Sequence, residues 1–420
     1  MTSPRTVRQD ELDQPRPIYA VWEITLRCDH ACAHCGSRAG PAAREDELDT
    51  AELLEVADGL VRLGTREVTL IGGEAYLRND FILVIRAIRE AGMRASITTG
   101  GLHLTRKRAE AMVEAGVELV SVSIDGDASA HDRLRGTPGG FQRALEALGH
   151  VRRAGGRIAA NTQINRLSHG TLLPLGERLA AEGIVAWQLF LTVPHGNAGD
   201  ALDLVLQPHQ LPAVYDELQG VLDLCDRHLI RFWPGNSLGY FGPLEHRLRA
   251  VLPEGHYPGC QAGRAAMGIE SNGAIKSCPT LGGPANTGGH WREHDLEAIW
   301  TRAPQMRYVE RRTLDDLWGY CRECYYAAAC MAGCTAMGEA VLGRPGNNPY
   351  CHHRALELQR VGQRERIELL EPASGEPFGL ARFRLIREWS DPERRAREPP
   401  IVVESSRLPS SRPQRGTLEP

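Results

Sequence analysis

Three cysteines near the start of the chain have the spacing of a reactive metal site. Cys28, Cys32 and Cys35 stand in the pattern C-x3-C-x2-C. Three thiolates on one short loop can bind three irons of a cubane cluster and leave the fourth iron without a protein ligand. That open iron predicts a centre that binds a small chelating molecule. A structural zinc site is the alternative, but zinc takes four ligands in paired sets, and His30 and His34 lie too close to complete one.

Seven further cysteines form a second zone, and Cys225 stands alone between the two. They follow the spacings C-x12-G-x4-C, with Gly273 as the glycine, and C-x2-C-x5-C-x3-C. The seven are Cys260, Cys278, Cys321, Cys324, Cys330, Cys334 and Cys351. In a reducing compartment, such cysteines are metal ligands more often than disulfides. Two zones predict two metal-binding regions, whereas Cys225 lies on a helical pattern and is predicted to be a buried structural thiol.

The composition is that of a globular protein. The 420 residues are 42% hydrophobic and 24% charged, and the net charge of -4 gives no sign of nucleic-acid binding. The sequence has neither an apolar run of the roughly 20 residues that a membrane span needs nor an N-terminal signal peptide. We therefore expect a cytoplasmic protein that binds neither nucleic acid nor membrane.

Strand and helix patterns alternate over the first half of the chain, which predicts an α/β fold with parallel strands and right-handed crossovers. The predicted strands are 18–26, 67–71, 94–99, 119–124, 157–163 and 186–192. The predicted helices are 50–63, 81–91, 105–115, 140–154 and 172–182. Polar residues and glycines recur at the C-terminal ends of the strands, the edge where α/β barrels place their active sites. The cysteine loop leaves the first strand at this same edge.

The cysteine loop after the first strand, followed by Gly72-Gly73-Glu74 after the second, resembles the radical S-adenosylmethionine (SAM) enzymes. The resemblance covers about residues 17–245 and implies a partial (β/α)6 barrel. It also implies a [4Fe-4S] cluster on Cys28, Cys32 and Cys35, with SAM chelating the open iron. One-electron reduction then cleaves SAM to methionine and a 5'-deoxyadenosyl radical, which abstracts hydrogen from the substrate. Ala75 stands where the family usually has proline.

The same resemblance, together with the polar residues at the strand ends, suggests a set of residues around SAM. The set is Gly72, Gly73, Glu74, Ser123, Asp125, Arg143 and Gln188. The two glycines are expected to let backbone approach the ligand, and Glu74 to accept hydrogen bonds from the SAM ammonium group. Arg143 is expected to bind the SAM carboxylate, and a solvated helix position is its alternative. Asp125 has a turn cap as its alternative. A further family-like segment contains His131, Arg133 and Arg135, in a structural or a ligand role.

The second cysteine zone closely resembles the SPASM extension, which carries two auxiliary iron–sulfur clusters; a zinc ribbon is the alternative. The match assigns auxiliary cluster I to Cys260, Cys278 and Cys334, and auxiliary cluster II to Cys321, Cys324, Cys330 and Cys351. Cluster I then lacks one ligand. Three explanations of this vacancy are possible. The fourth iron binds substrate, a nearby group such as His256 binds it, or the cluster is smaller.

These patterns predict four regions along the chain. They are an N-terminal arm (1–16), the radical SAM partial barrel (17–245), the SPASM domain (246–365) and a poorly ordered tail (366–420). The tail prediction rests on its many proline, arginine and serine residues. Residues 354–371 are predicted to form a charged helix that leaves the SPASM domain.

SPASM enzymes mostly modify peptides, so the leading hypothesis is a maturase that crosslinks, epimerises or otherwise oxidises a ribosomally made precursor peptide. Its expected partners are that peptide and an electron donor of the flavodoxin or ferredoxin type. Because residues 1–16 are too short for a leader-binding module, a separate leader-peptide-binding protein is a further expected partner.

Three alternatives remain. A sulfatase-maturating, formylglycine-forming enzyme is one, although His34 and the three-cysteine cluster I differ from that group. Modification of a small molecule or tetrapyrrole is another. A non-enzymatic iron–sulfur electron carrier explains the cysteines but not the polar strand ends.

Overall fold

The computed structural model describes residues 14–252 and 255–405. Most of the predicted arm and the last part of the predicted tail lie outside the described residues. At the end of the arm, the Pro15 carbonyl accepts a hydrogen bond of 2.9 Å from the Trp300 indole. Within the described ranges, no helix is both long enough and apolar enough to cross a membrane.

Ten strands form one continuous sheet in the order β10-β9-β8-β1-β2-β3-β4-β5-β6-β7. The strands are β1 Tyr19–Glu23, β2 Glu67–Ile71, β3 Arg94–Thr99, β4 Leu119–Ser123, β5 Ile158–Ile164, β6 Ala186–Leu191, β7 Arg231–Pro234, β8 Ala266–Ile269, β9 Ala274–Lys276 and β10 Thr287–His290. Strands β1 to β7 pair in parallel, and β8 pairs in parallel with β1. Strands β9 and β10 are antiparallel, so the second cysteine region continues the sheet of the first.

Helices join the parallel strands, as the sequence predicts. In this first half they are Thr50–Arg62, Phe81–Glu90, Arg106–Glu114, Ala128–Arg135, Gly140–Arg153, Leu172–Glu182, Asn197–Asp200 and Leu211–Arg227. The side chain of Asp49 caps the first of them, and Thr105 caps Arg106–Glu114. The sequence does not predict the helix Ala128–Arg135, because its eight residues are too few to show a helical period. The α/β fold is confirmed.

Shorter helices dominate the cysteine-rich second half. They are Glu245–Leu248, Leu296–Arg302, Pro304–Arg307, Tyr320–Glu323, Ala327–Cys330, Thr335–Leu342, His352–Arg360 and Pro392–Arg397. In the described parts of the chain, single 3-10 turns occur at Ala75–Leu77, Pro208–Gln210, Pro284–Asn286 and Leu314–Asp316.

The sheet buries one face under its helices and turns a polar face inward. In β4, Val120 and Val122 are buried, whereas Ser121 and Ser123 on the other face are half-buried. The register places Ser123, Asn161 and Gln188 side by side on β4, β5 and β6. A cavity of about 240 Å³ lies along this face and is lined by Ser121, Asn161 and Gln188 among others.

The prediction of a poorly ordered tail is wrong for residues 366–405. These residues belong to a three-stranded antiparallel sheet in the order β11-β12-β13, with β11 at Gln363–Glu371, β12 at Arg382–Trp389 and β13 at Ile401–Ser405. The predicted exit helix likewise ends at Arg360, and a strand follows it. The reason is the alternation in β11 and β12, which buries Ile367, Phe383 and Leu385 despite the many charges between them.

The connection between β11 and β12 reaches the cysteine loop. The Phe378 N–H donates a 2.7 Å hydrogen bond to the Gly36 carbonyl, and the Gly196 N–H donates to the Gly379 carbonyl at 2.9 Å. The Lys276 ammonium lies 4.0 Å from the centre of the Phe378 ring. This connection, residues 372–381, therefore contacts the cysteine loop and strand β9 at the same time.

A substitution on the buried face of the C-terminal sheet tests whether this sheet packs against the rest of the protein. Phe383→Ala removes a fully buried ring and should lower the free energy of unfolding by about 3–5 kcal/mol. Ile401→Ala is the control, because Ile401 is 63% exposed. Urea unfolding and limited proteolysis of residues 363–405 measure the effect. Equal behaviour of the two variants would contradict a packed sheet.

Candidate active site

Two glycines hold the start of the cysteine loop against the end of β2. The Gly73 N–H donates to the Thr25 carbonyl at 2.7 Å, and the Glu74 N–H donates to the Arg27 carbonyl at 2.8 Å. A Cβ on Gly72 or Gly73 would overlap the Thr25 or Arg27 carbonyl oxygen. The glycines therefore allow a close approach of backbone to backbone, which extends the pairing of β1 with β2 into the loop.

The helix Ala128–Arg135 holds the middle of the same loop. The Ala31 N–H donates to the Arg135 carbonyl at 3.2 Å, and the Ala33 N–H donates to the Leu134 carbonyl at 2.8 Å. These are carbonyls of the last helical turn, which have no partner within the helix. The loop thus supplies hydrogen-bond donors to the last carbonyls of the helix, and the helix holds the loop in position.

Asn197 holds the part of the loop that contains the second and third cysteines. Its backbone N–H donates to the Cys35 carbonyl, and its side-chain amide donates to the Cys32 carbonyl, both at 2.9 Å. The Arg38 guanidinium donates to the Asn197 side-chain oxygen at 2.7 Å, which orients the amide. Cys28, Cys32 and Cys35 are all free, half-buried thiols.

Glu74 lies beside the first cysteine. Its carboxylate accepts hydrogen bonds from the Thr99 hydroxyl and from the Gly100 N–H, and its side chain is almost fully buried at 2% exposure. The Cys28 sulfur and carboxylate oxygens of Asp29 and Glu74 lie within 4.8 Å of one another. Burial raises the pKa of Glu74 to about 8. A cation that binds beside a buried carboxyl group favours the ionised form of that group.

A buried ion pair lies under the cysteine loop. Asp125 Oδ2 is 2.6 Å from Arg135 Nη2 and 3.3 Å from His34 Nε2, and Asp125 Oδ1 accepts from the Gln163 N–H at 2.8 Å. Burial alone would raise the pKa of Asp125, but Arg135 and His34 hold it well below its usual range. Arg135 Nη1 is also 3.8 Å from the Cys32 sulfur. Both Asp125 oxygens have protein partners, so a direct contact with SAM would compete with them.

Several buried polar atoms around the loop have no hydrogen-bond partner in the described parts of the chain. They are both ring nitrogens of His30, Nδ1 of His34 and one carboxylate oxygen of Asp29. Buried polar groups are normally paired, so such a group of atoms fits a site that a bound molecule completes. Together with three free thiols and Glu74, they fit an iron–sulfur cluster and a small polar ligand.

The remaining residues predicted to contact SAM lie on different elements of the fold. Ser123 and Gln188 lie on one face of the sheet, in the row that also contains Asn161. Arg143 is exposed on the helix Gly140–Arg153. Arg135, for which the sequence leaves a structural or a ligand role open, is the arginine buried beside the cysteine loop. SAM binding by these residues stays a prediction.

The cysteines of the second zone lie in two groups of buried or half-buried free thiols. The first thiol group is Cys260, Cys278 and Cys334, and the second thiol group is Cys321, Cys324, Cys330 and Cys351. Burial, together with the thiols of Cys260 and Cys278, raises the pKa of Cys334 to about 12. Burial and the thiols of Cys351, Cys321 and Cys324 raise that of Cys330 in the same way. The thiols that influence one another are those that the sequence assigns to the same cluster, and cluster binding by them stays a prediction.

A role of His256 as the fourth ligand of the first thiol group stays a prediction. Its Nδ1 lies 3.0 Å from the Tyr257 carbonyl oxygen, and its ring lies 5.6 Å from that of Phe241. Cys225, in contrast, is buried within the main hydrophobic core, as a structural thiol would be.

Two family models match the chain. The radical SAM superfamily matches residues 22–168, and the SPASM iron–sulfur cluster-binding domain matches residues 260–325. An AdoMet-dependent heme synthase from Methanosarcina barkeri is 30% identical over 350 residues, 80% of this chain and 97% of that protein. A PqqA peptide cyclase from Ruegeria pomeroyi is 31% identical over 362 residues, 83% of this chain and 92% of that protein.

The chain therefore belongs to the radical SAM superfamily and contains a SPASM iron–sulfur domain. Membership implies a [4Fe-4S] cluster and SAM, and it makes the protein an enzyme rather than an electron carrier. Among solved structures, SuiB of Streptococcus suis bound to S-adenosylmethionine is similar, with a TM-score of 0.62 and 18% identity over 77% of this chain and 74% of that one. That likeness shows the fold: a radical SAM domain followed by a SPASM domain.

Glu74→Gln tests whether this side chain binds the SAM ammonium group. The variant keeps an acceptor oxygen but removes the negative charge. We expect SAM to bind about tenfold to a hundredfold more weakly, because a hydrogen bond to a charged group contributes about 1.5–3 kcal/mol. Equilibrium dialysis of the anaerobically reconstituted protein measures binding, with iron content checked in parallel. Glu110→Gln, at an exposed helix position, is the control. Unchanged binding in the Glu74 variant would exclude this role.

Asp125→Asn tests the buried ion pair. It leaves the Arg135 guanidinium buried without a counter-charge and should cost about 3–5 kcal/mol of unfolding free energy. The exposed pair Arg133–Asp203, 3.8 Å apart, supplies the control Asp203→Asn, expected to cost about 0–1 kcal/mol.

The same substitution has an expected pH dependence. The pKa of Asp125 is lower in the folded state, so its stabilising contribution is present above the unfolded pKa of about 3.9 and is lost as the pH falls below it. The stability difference between wild type and Asp125→Asn should therefore shrink in acid. A constant difference from pH 7 to pH 3 in urea unfolding would contradict this linkage.

Proposed function

We propose that the protein is a maturase that abstracts a hydrogen atom from a ribosomally made precursor peptide and leaves it crosslinked, epimerised or otherwise oxidised. The observation that carries the proposal is the cysteine loop with Glu74 beside it, combined with two further groups of thiols in the same chain. Cys28, Cys32 and Cys35 hold the [4Fe-4S] cluster, and Glu74 binds the SAM ammonium group. Reductive cleavage of SAM at this site supplies the 5'-deoxyadenosyl radical.

The two further thiol groups suit an oxidative reaction. Formation of a crosslink transfers one hydrogen atom to the 5'-deoxyadenosyl radical and then releases one proton and one electron from the substrate. That electron needs an acceptor, and we assign the first thiol group as the ligand set of auxiliary cluster I in this role. The second thiol group holds auxiliary cluster II. An electron donor of the flavodoxin or ferredoxin type supplies the electron for SAM cleavage.

A peptide substrate is supported by the similarity to the Ruegeria pomeroyi PqqA peptide cyclase, which extends over most of both chains. The polar inner face of the sheet around Asn161 and Gln188 offers a substrate several hydrogen-bonding side chains. Leader recognition is assigned to a separate leader-peptide-binding protein or to the surface of the barrel.

Tetrapyrrole modification is the second candidate. It is supported by the heme synthase of Methanosarcina barkeri, 97% of whose length aligns with this chain. Both candidates use the same cysteine loop and the same radical, so they differ only in the molecule bound beside it.

The deciding experiment is anaerobic reconstitution with iron, sulfide, SAM and dithionite. Chromatography should detect 5'-deoxyadenosine with wild type and with Cys225→Ala, and none with Cys32→Ala. Absence of 5'-deoxyadenosine from wild type would contradict radical SAM chemistry in this protein.

Mass spectrometry then decides the substrate. Short peptides encoded beside the gene and a tetrapyrrole are incubated in separate reactions. Loss of two hydrogens from a peptide indicates a crosslink, and deuterium gain at unchanged composition indicates epimerisation. Conversion of the tetrapyrrole alone would overturn the peptide proposal and support the second candidate.

A further inference from the structure

A buried tyrosine three residues before Cys260 has a hydroxyl without a protein partner in the described parts of the chain. Tyr257 is 0% exposed, and its hydroxyl has no hydrogen-bond partner within residues 14–252 and 255–405. Its backbone N–H donates to Glu245 Oε1 at 2.7 Å, and its ring meets the Tyr240 ring edge-on at a centroid distance of 4.8 Å. The side chain is therefore fixed in position, while its polar end is left open.

Other buried tyrosines in the described chain do find acceptors. The Tyr215 hydroxyl donates to the Gly239 carbonyl at 2.8 Å, and the Tyr350 hydroxyl donates to the Leu206 carbonyl at 2.5 Å. A buried hydroxyl without a protein partner is uncommon, and an absent ion, water or ligand is a usual explanation. Tyr257 therefore differs from them in what its hydroxyl is free to bind.

The surroundings of Tyr257 are rich in sulfur. Tyr257 precedes Cys260 by three residues, and its ring contacts Tyr240, whose hydroxyl accepts a 3.0 Å hydrogen bond from the Cys334 N–H. After burial itself, the thiols of Cys260, Cys334 and Cys330 are the groups that raise the pKa of Tyr257 most. Two of these three, Cys260 and Cys334, belong to the first thiol group.

We propose that the Tyr257 hydroxyl donates a hydrogen bond to a sulfur of the cluster held by Cys260, Cys278 and Cys334. The inference rests on the assignment of auxiliary cluster I under the proposed function. Hydrogen bonds to cluster sulfurs stabilise the reduced, more negative state and so raise the reduction potential. Tyr257 is then a positioning residue that makes the cluster a better acceptor for the substrate electron.

The test uses the full chain with Cys28, Cys32 and Cys35 replaced by alanine, so that only auxiliary clusters contribute to the spectrum. Tyr257→Phe in this background should keep the iron and sulfide content, while an EPR-monitored redox titration shows a lower midpoint potential for one auxiliary cluster. Tyr215→Phe is the matched control, because it removes a buried hydroxyl whose partner is backbone, and its titration should follow that of the parent.

A second measurement changes the hydroxyl instead of removing it. Replacement of tyrosine by 3-fluorotyrosine makes the O–H more acidic and strengthens its hydrogen bond, so the midpoint potential should rise. This shift should vanish in the Tyr257→Phe variant. The two shifts have opposite signs, which a general loss of structure would not produce.

Two results would overturn the proposal. An unchanged midpoint potential in Tyr257→Phe excludes the hydrogen bond, and a loss of cluster iron in this variant identifies the phenol oxygen as a ligand instead. A third result would instead contradict the assignment of the auxiliary clusters. If the parent with the three alanines binds no iron, the auxiliary clusters are absent and the proposed function is contradicted at that point.

Discussion

A loop that must present three thiols to one metal centre has no helix or strand of its own, so its backbone must be held by neighbouring elements. In this protein four separate elements do so. The end of β2, the last turn of the helix Ala128–Arg135, the side chain of Asn197 and the connection before β12 each bond a different part of the loop. The position of the cysteines therefore depends on the packing of the whole sheet.

Buried charge is the second requirement of this arrangement. Glu74 and Asp125 lie in a region of low polarity, where an unmatched charge is costly. The pair of Asp125 with Arg135 keeps an arginine buried beside Cys32, where its positive charge favours thiolate. On the other side of the loop, Glu74 supplies a group that can become anionic when a cation arrives.

The fold and the cysteine groups follow largely from the sequence, because both depend on local spacing. Strands β2 and β3 have the predicted bounds, whereas cluster binding by the two thiol groups stays a prediction. Contacts that depend on distant packing could not be predicted in this way. The burial of Arg135 against Asp125 follows from how a short helix meets the sheet, and no period or motif in the chain reports it. The position of Tyr257 near Tyr240 and Cys334 likewise cannot be predicted from the sequence, because these residues are distant in the chain.

The C-terminal sheet is the exception among the elements. Its strands β11 and β12 alternate buried and partly exposed residues, but the many proline and charged residues of this region favour a prediction of disorder. Its connection ties Phe378 to Gly36, residues close to opposite ends of the chain. During synthesis the cysteine loop leaves the ribosome early, yet this contact forms only when almost the whole chain has emerged. The backbone of the cysteine loop therefore gains the last of its four supports only late in synthesis.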